Sequence, residues 1–202
     1  MDAKIQLSPE ELELVQNAGW LLTKNKVIDK VFALFGAVAH EVRDTVVTKT
    51  DLPEAVLATS PKISKGENYN GLPYVMLDYP RLFGKEDIFA IRVLFWWGNF
   101  ISITLHLKGK YKQQYLPAIH KKLSVLQQHH FAIGISDNEW RHEFEKDNYQ
   151  LLGQYDNAAI EKILSANEFC KLSSKIPLQQ WNEASKLLVE LYRIILNSIS
   201  ID

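Results

Sequence analysis

One cysteine in 202 residues, Cys170, excludes an internal disulfide and a cysteine-based zinc centre. No apolar run reaches the roughly 18 residues a membrane span requires, and Met1-Asp2-Ala3-Lys4 lacks the basic-then-apolar layout of a secretion signal. A cytoplasmic protein with no membrane partner is the expectation by elimination. The nine glycines are scattered, so no Gly-x-Gly-x-x-Gly phosphate loop opens a helix. Gly-x-Ser-x-Gly, Cys-x-x-Cys and His-Glu-x-x-His are missing as well. These absences move the common cofactor-dependent enzymes down the order, and no cofactor or metal is implied. Net charge is also scarce, at -1, which weighs against a dedicated nucleic-acid binder.

What remains is a globular composition. At 47% hydrophobic and 11% aromatic the chain has the material for one core, and 202 residues fit a single α+β domain. A chain of this size buries roughly 70% of its unfolded surface and needs no staple.

Ser8-Pro9-Glu10-Glu11 combines an N-cap, a proline at the first helical position and a capping-box glutamate. Helices are expected over 8–23 and 26–47, interrupted at Lys24-Asn25-Lys26. The second carries an apolar stripe of Ile28, Val31, Phe35, Val38, Val42 and Val46. Residues 48–72 lose periodicity and read as a long loop or flap, with one or two helical turns over 53–59. Strands follow at 73–79, 88–96 and 100–107.

The hairpin register can be derived. Phe89, Ile91, Val93 and Phe95 share one face, as do Ile101, Ile103, Leu105 and Leu107. The two apolar faces coincide only if 95 pairs with 101 and 93 with 103. That demands a three-residue loop, 97–99, with Gly98 or Asn99 at positive φ. Further helices are expected over 117–128, over 158–166 and from Pro177 onward, with short strands at 131–135 and 169–176, while residues 110–116 either extend the preceding strand or form a helix kinked at Pro117. Ser136 and Glu139 form a second capping-box pattern that predicts a helix carrying Trp140, Phe144 and Leu151. The sum is an α+β fold: a central antiparallel sheet of at least four strands covered by helices, an N-terminal helix pair and a long C-terminal helix.

The second face of the hairpin holds the functional candidates. Arg92, Leu94 and Trp96 face the same way as Phe100, Ser102, Thr104 and His106. A solvated sheet face would carry lysine, glutamate and threonine; this one has large aromatics, one arginine, one histidine and no carboxylate. A cover from another element explains it, with Arg92 paired to a distant acid. A pocket explains it too, with Trp96 contacting an apolar group, Arg92 and His106 meeting an anion, and the loop containing Tyr69 as a lid. The functional expectation is therefore an anionic small-molecule binding site built from Tyr69, Arg92, Trp96, Ser102, Thr104 and His106. The competing reading is a hydrolase or transferase on an anionic substrate, with His106 as general base. A third is an interaction module that forms a homodimer through the Trp97 tip.

His129-His130 and the Asp137, Glu139, His142, Glu143 group flank a strand about 16 Å long, so one local metal site from both is awkward. Cys170, among apolar neighbours, is expected to be a buried inert thiol. The near-zero charge also conceals opposed blocks: +6 for residues 88–136, which contain no acid, and -5 for 137–168. Basic residues from Lys108 to Lys122 either face solvent or pair with that acidic block.

Overall fold

The computed structural model describes residues 5–49 and 51–201. Seven strands form one antiparallel sheet: β1 (Lys62–Tyr69), β2 (Leu72–Phe83), β3 (Ile88–Trp96), β4 (Phe100–Lys108), β5 (Ala132–Gly134), β6 (Tyr149–Leu151) and β7 (Phe169–Pro177). Their spatial order is β1-β2-β3-β4-β7-β5-β6, so β7 enters beside β4 and the sheet extends outward from it. The α+β architecture is as expected. The β3–β4 register also falls where alternation places it, with Phe95 opposite Ile101, Val93 opposite Ile103, and Gly98 at φ +73 in the three-residue loop.

The helices are α1 (Pro9–Gln16), α2 (Ala18–Val47), α3 (Glu54–Leu57), α4 (Lys110–Lys121), α5 (Leu123–Gln128), α6 (Asn157–Ala166) and α7 (Ala184–Ser198), and all but α1 pack on one face of the sheet. The stripe of α2 read from the sequence is the stripe that is buried, from Ile28 through Val46. It packs with Leu188, Tyr192 and Ile195 of α7 over Phe89, Ile91, Val93 and Phe95. Phe89 sits edge-on to Tyr111 and Tyr115 of α4, at 5.8 and 5.5 Å between ring centres. One cluster thus runs from helix to helix across the sheet, the arrangement that lets a single core form. Gly36 lies exposed in the middle of α2, with open space where a Cβ would stand. Gly36→Ala is expected to stabilise the fold by about 0.5–1 kcal/mol, read from a urea unfolding midpoint.

Three expectations are corrected and one open choice is resolved. The N-terminal helix breaks at Asn17, not at Lys24-Asn25-Lys26. Asn17 has non-helical φ and ψ, and its side chain caps the Trp20 amide, so a new helix starts there. Within residues 48–72 the helical turn expected over 53–59 forms as α3, but the remainder is not all loop: the edge strand β1 occupies Lys62–Tyr69. Residues 110–116 continue as α4, with Pro117 inside the helix and a break at Lys122. The helix expected after Ser136 does not form. Ser136 Oγ instead accepts from the Asn138 amide in a tight turn, and residues 135–148 run as an irregular connection from β5 to β6.

Candidate functional site: a capped polar sheet face

The face of the sheet turned away from the helices is lined, strand by strand, by Asp78, Arg92, Thr104 with His106, and Lys171 with Ser173. Strand alternation alone gathers these polar groups, because each sits opposite the last in the register. The 135–148 connection lies over them. Trp140 stands 5.6 Å from the His106 ring and 6.0 Å from Phe83, and Phe144 packs edge-on to Phe100 at 5.2 Å and stacks on Tyr149 at 4.7 Å. Between these aromatic anchors the cap reaches the sheet through hydrogen bonds.

Arg92 and Asp78 form a bidentate pair, Nε to Oδ1 at 2.7 Å and Nη2 to Oδ2 at 3.0 Å. Arg92 Nη1 lies 3.2 Å from Nε2 of His142. A guanidinium can only donate, so that ring nitrogen accepts and His142 is neutral, with its proton on Nδ1. His106 Nε2 donates to Glu139 Oε2 at 3.1 Å, and Lys108 Nζ donates to the other oxygen at 2.9 Å. Tyr69 Oη donates to Glu143 and accepts from the His142 amide at 2.6 Å. Arg141 bonds Glu143 at 2.5 Å and Asp147 at 2.9 and 3.1 Å. Each of these carboxylates therefore already has a cationic partner.

Lys171 does not fit that pattern. It is 2% exposed, and its Nζ donates to the backbone carbonyl of Arg141 while standing 5.1 Å from the Tyr149 ring centre. Among the described residues no carboxylate forms an ion pair with it. Gly134 leaves room for its stem: an added Cβ there would stand 3.0 Å from Lys171 Cβ.

Burial shapes the titration of the whole face. Desolvation, reinforced by Arg92, brings Lys171 down from 10.5 to about 7. Desolvation also lowers His106, opposed by its bond to Glu139, and holds His142 well below its ordinary range, with Lys171 and Arg92 adding to the effect. Glu139 is held at about 2, first by the hydrogen bond from His106 and then by Lys108. The result is a buried layer in which histidines are neutral, acids are ionised and one lysine is balanced between its two forms.

Of the residues singled out in the sequence, Arg92, Thr104 and His106 all lie under the cap. Thr104 Oγ1 and Ser173 Oγ are 2.8 Å apart, and Ser102 is buried beside them on the same strand face. Trp96 Nε1 donates to the Tyr69 carbonyl at 3.1 Å and meets the Tyr69 ring edge-on at 5.3 Å. Tyr69 itself ends β1; the covering role belongs to 135–148. Lys171, His142, Asp78 and Glu139 were not in the candidate set. Lys108 pairs with Glu139 and Lys112 with the carbonyl of Asn167, so part of the basic stretch does meet the acidic block. Cys170 is buried on the apolar side, and desolvation raises its thiol to about 12. No family model, curated protein sequence or solved structure matches the chain.

Proposed function

We propose that the protein binds a small anion, a carboxylate or phosphate group, between the sheet face and the 135–148 cap, with Lys171 as its counter-charge and Arg92 as a fixed neighbour. The observation that carries this reading is the buried Lys171 amino group, which has no carboxylate partner among the described residues. A buried charge is costly unless paired, and groups perturbed in this way concentrate at functional sites. Arg92, the expected anion clamp, already spends its bidentate geometry on Asp78, which is why the role passes to Lys171. The cap suits a site that opens. It has no regular secondary structure, and its backbone is held to the sheet by side chains more than by ladder bonds.

The test is thermal unfolding at pH 7 with inorganic phosphate or malonate, on the wild type and on Lys171→Met. A specific anion stabilises the wild type in proportion to the logarithm of its concentration above Kd, by about 2.7 kcal/mol at a hundredfold excess, and raises the midpoint accordingly. The variant then shows only the small rise that excluded salts give any protein. Equal responses in the two proteins would refute the assignment.

A second reading, a protein-interaction module, is supported by a different feature. Trp97 at the hairpin tip lines an apolar cleft of about 460 Å³ with Val27, Lys30, Phe95, Leu178 and Trp181. From that cleft the N-terminal helices project as an exposed apolar arm.

A further inference from the structure

Helix α2 is buried only from Ile28 onward; its first ten residues and all of α1 have no buried position. On this arm Leu12, Leu14, Val15, Trp20, Leu21 and Leu22 are each at least 47% exposed. Single exposed leucines are ordinary, but six large apolar side chains within eleven residues form a patch that soluble surfaces rarely leave open.

The chemistry of the arm identifies its occupant. Charges are sorted along it: Glu10, Glu11 and Glu13 mark the tip, while Lys26 and Lys30 mark the base, where Lys24 is already paired with Glu67 of the same chain and Asp29 is the one acid of the arm itself. Two arms running antiparallel bring each acidic tip to the other's basic base, with Trp20, Leu21 and Leu22 meeting in the middle. The base also carries the Trp97 cleft, with Lys30 on its rim. Leu12, Leu14 and Val15 of the incoming arm supply apolar side chains at the position where the cleft receives them. A bilayer wants one apolar face and a basic polar face; the acidic tip gives neither. The exposed apolar surface is also of adequate size. At about 100 Å² per side chain, two arms bury on the order of 1,200 Å², the lower bound for a stable interface.

From this sorting of charge and apolar surface we infer that the arm pairs with the arm of a second copy of this chain, in an antiparallel two-fold exchange. The inference rests on reading the arm and cleft as an interaction surface. Closed two-fold pairing is the commonest form of self-association and needs a self-complementary patch, which a polarised arm provides.

Light scattering on size-exclusion fractions at about 10 µM tests it, well above the affinity expected of such an interface. The wild type is expected to be a dimer. Glu10→Lys/Glu13→Lys, which leaves the Glu11 capping bond intact, and Lys26→Glu/Lys30→Glu are each expected to be monomers with the wild-type far-UV circular-dichroism spectrum, their unfolding midpoints lowered only by the loss of the dimer. Mixing the two variants restores the dimer, because only the mixed pair places unlike charges at both ends. A monomeric wild type overturns self-pairing, and sedimentation of that monomer with phosphatidylserine-containing vesicles would assign the arm to a membrane instead. A dimer that survives both charge reversals and Leu14→Ser/Trp20→Ser is built elsewhere, and overturns the interaction reading as well.

Discussion

Lys171→Met is expected to raise the unfolding free energy by about 2–4 kcal/mol at pH 6, a rise of roughly 5–10 °C in Tm for a domain this size. At pH 10 the gain vanishes or reverses. The reasoning is linkage. Folding lowers the Lys171 pKa from 10.5 to about 7, so between those values the unfolded chain binds the extra proton and stability rises with pH. Below pH 7 the folded protein carries the full cost of the buried ammonium, on the order of 5 kcal/mol at 1.36 kcal/mol per pH unit. Methionine removes that cost but leaves the Arg141 carbonyl without its donor, at about 1–3 kcal/mol, which is why the net gain is smaller and fails in alkali. Arg92 and, more weakly, Arg141 disfavour the ammonium, Glu143 and Glu139 favour it, and His106 and His142 remain neutral around it. The histidines act in the same direction: their lowered pKa values make stability fall as pH drops below 6.5. Glu139 extends the loss from about 4.5 down to about 2. Urea midpoints from pH 5 to 10 measure the whole profile, and a Lys171→Met profile parallel to wild type would contradict this account.

Arg92→Ala is expected to be the most damaging single change on the polar face, costing about 3–5 kcal/mol. It strands the Asp78 carboxylate, which is 7% exposed, and removes the donor that fixes the His142 tautomer. The pair as a whole is another matter. Replacing both members, Asp78→Leu with Arg92→Met, is expected to recover most of the loss, since the two charges offset each other and little more. A double-mutant cycle on unfolding free energies would show a coupling of several kcal/mol; additive single effects would mean that Asp78 finds another partner. Loss of ligand binding in Arg92→Ala alone would therefore report unfolding of the face as much as loss of a contact. Lys171 is the cleaner probe.

The contrast between what the sequence showed and what it concealed follows from the range of the determining interactions. The β3–β4 pairing and the buried stripe of α2 were legible because each is set by local period and by the parity of one loop. The cap was not. Ser136 and Glu139 stand at capping-box spacing, yet the Glu139 carboxylate is taken by His106 and Lys108, 33 and 31 residues away, and the helix it would have started is lost. Lys171 was hidden for a similar reason. Alternation puts it on the face opposite Cys170 and Leu172, but only the pairing of β7 with β4 brings it across from His106. Strand β1 escaped notice because Lys62–Tyr69 lies at the sheet edge and has no buried position to print an apolar alternation. The break at Asn17 is set by one side-chain cap, on the Trp20 amide, which apolar periodicity does not register.

The central claim is that Lys171 is a buried ammonium awaiting an anion. A pH titration of the lysine Cε resonances by carbon-detected NMR, with Lys171→Met supplying the assignment, tests it most directly. The account predicts that Lys171 titrates near 7 in the free protein and moves upward when inorganic phosphate is added. Titration of Lys171 near 10.5 in the free protein, or no movement with phosphate, would contradict it.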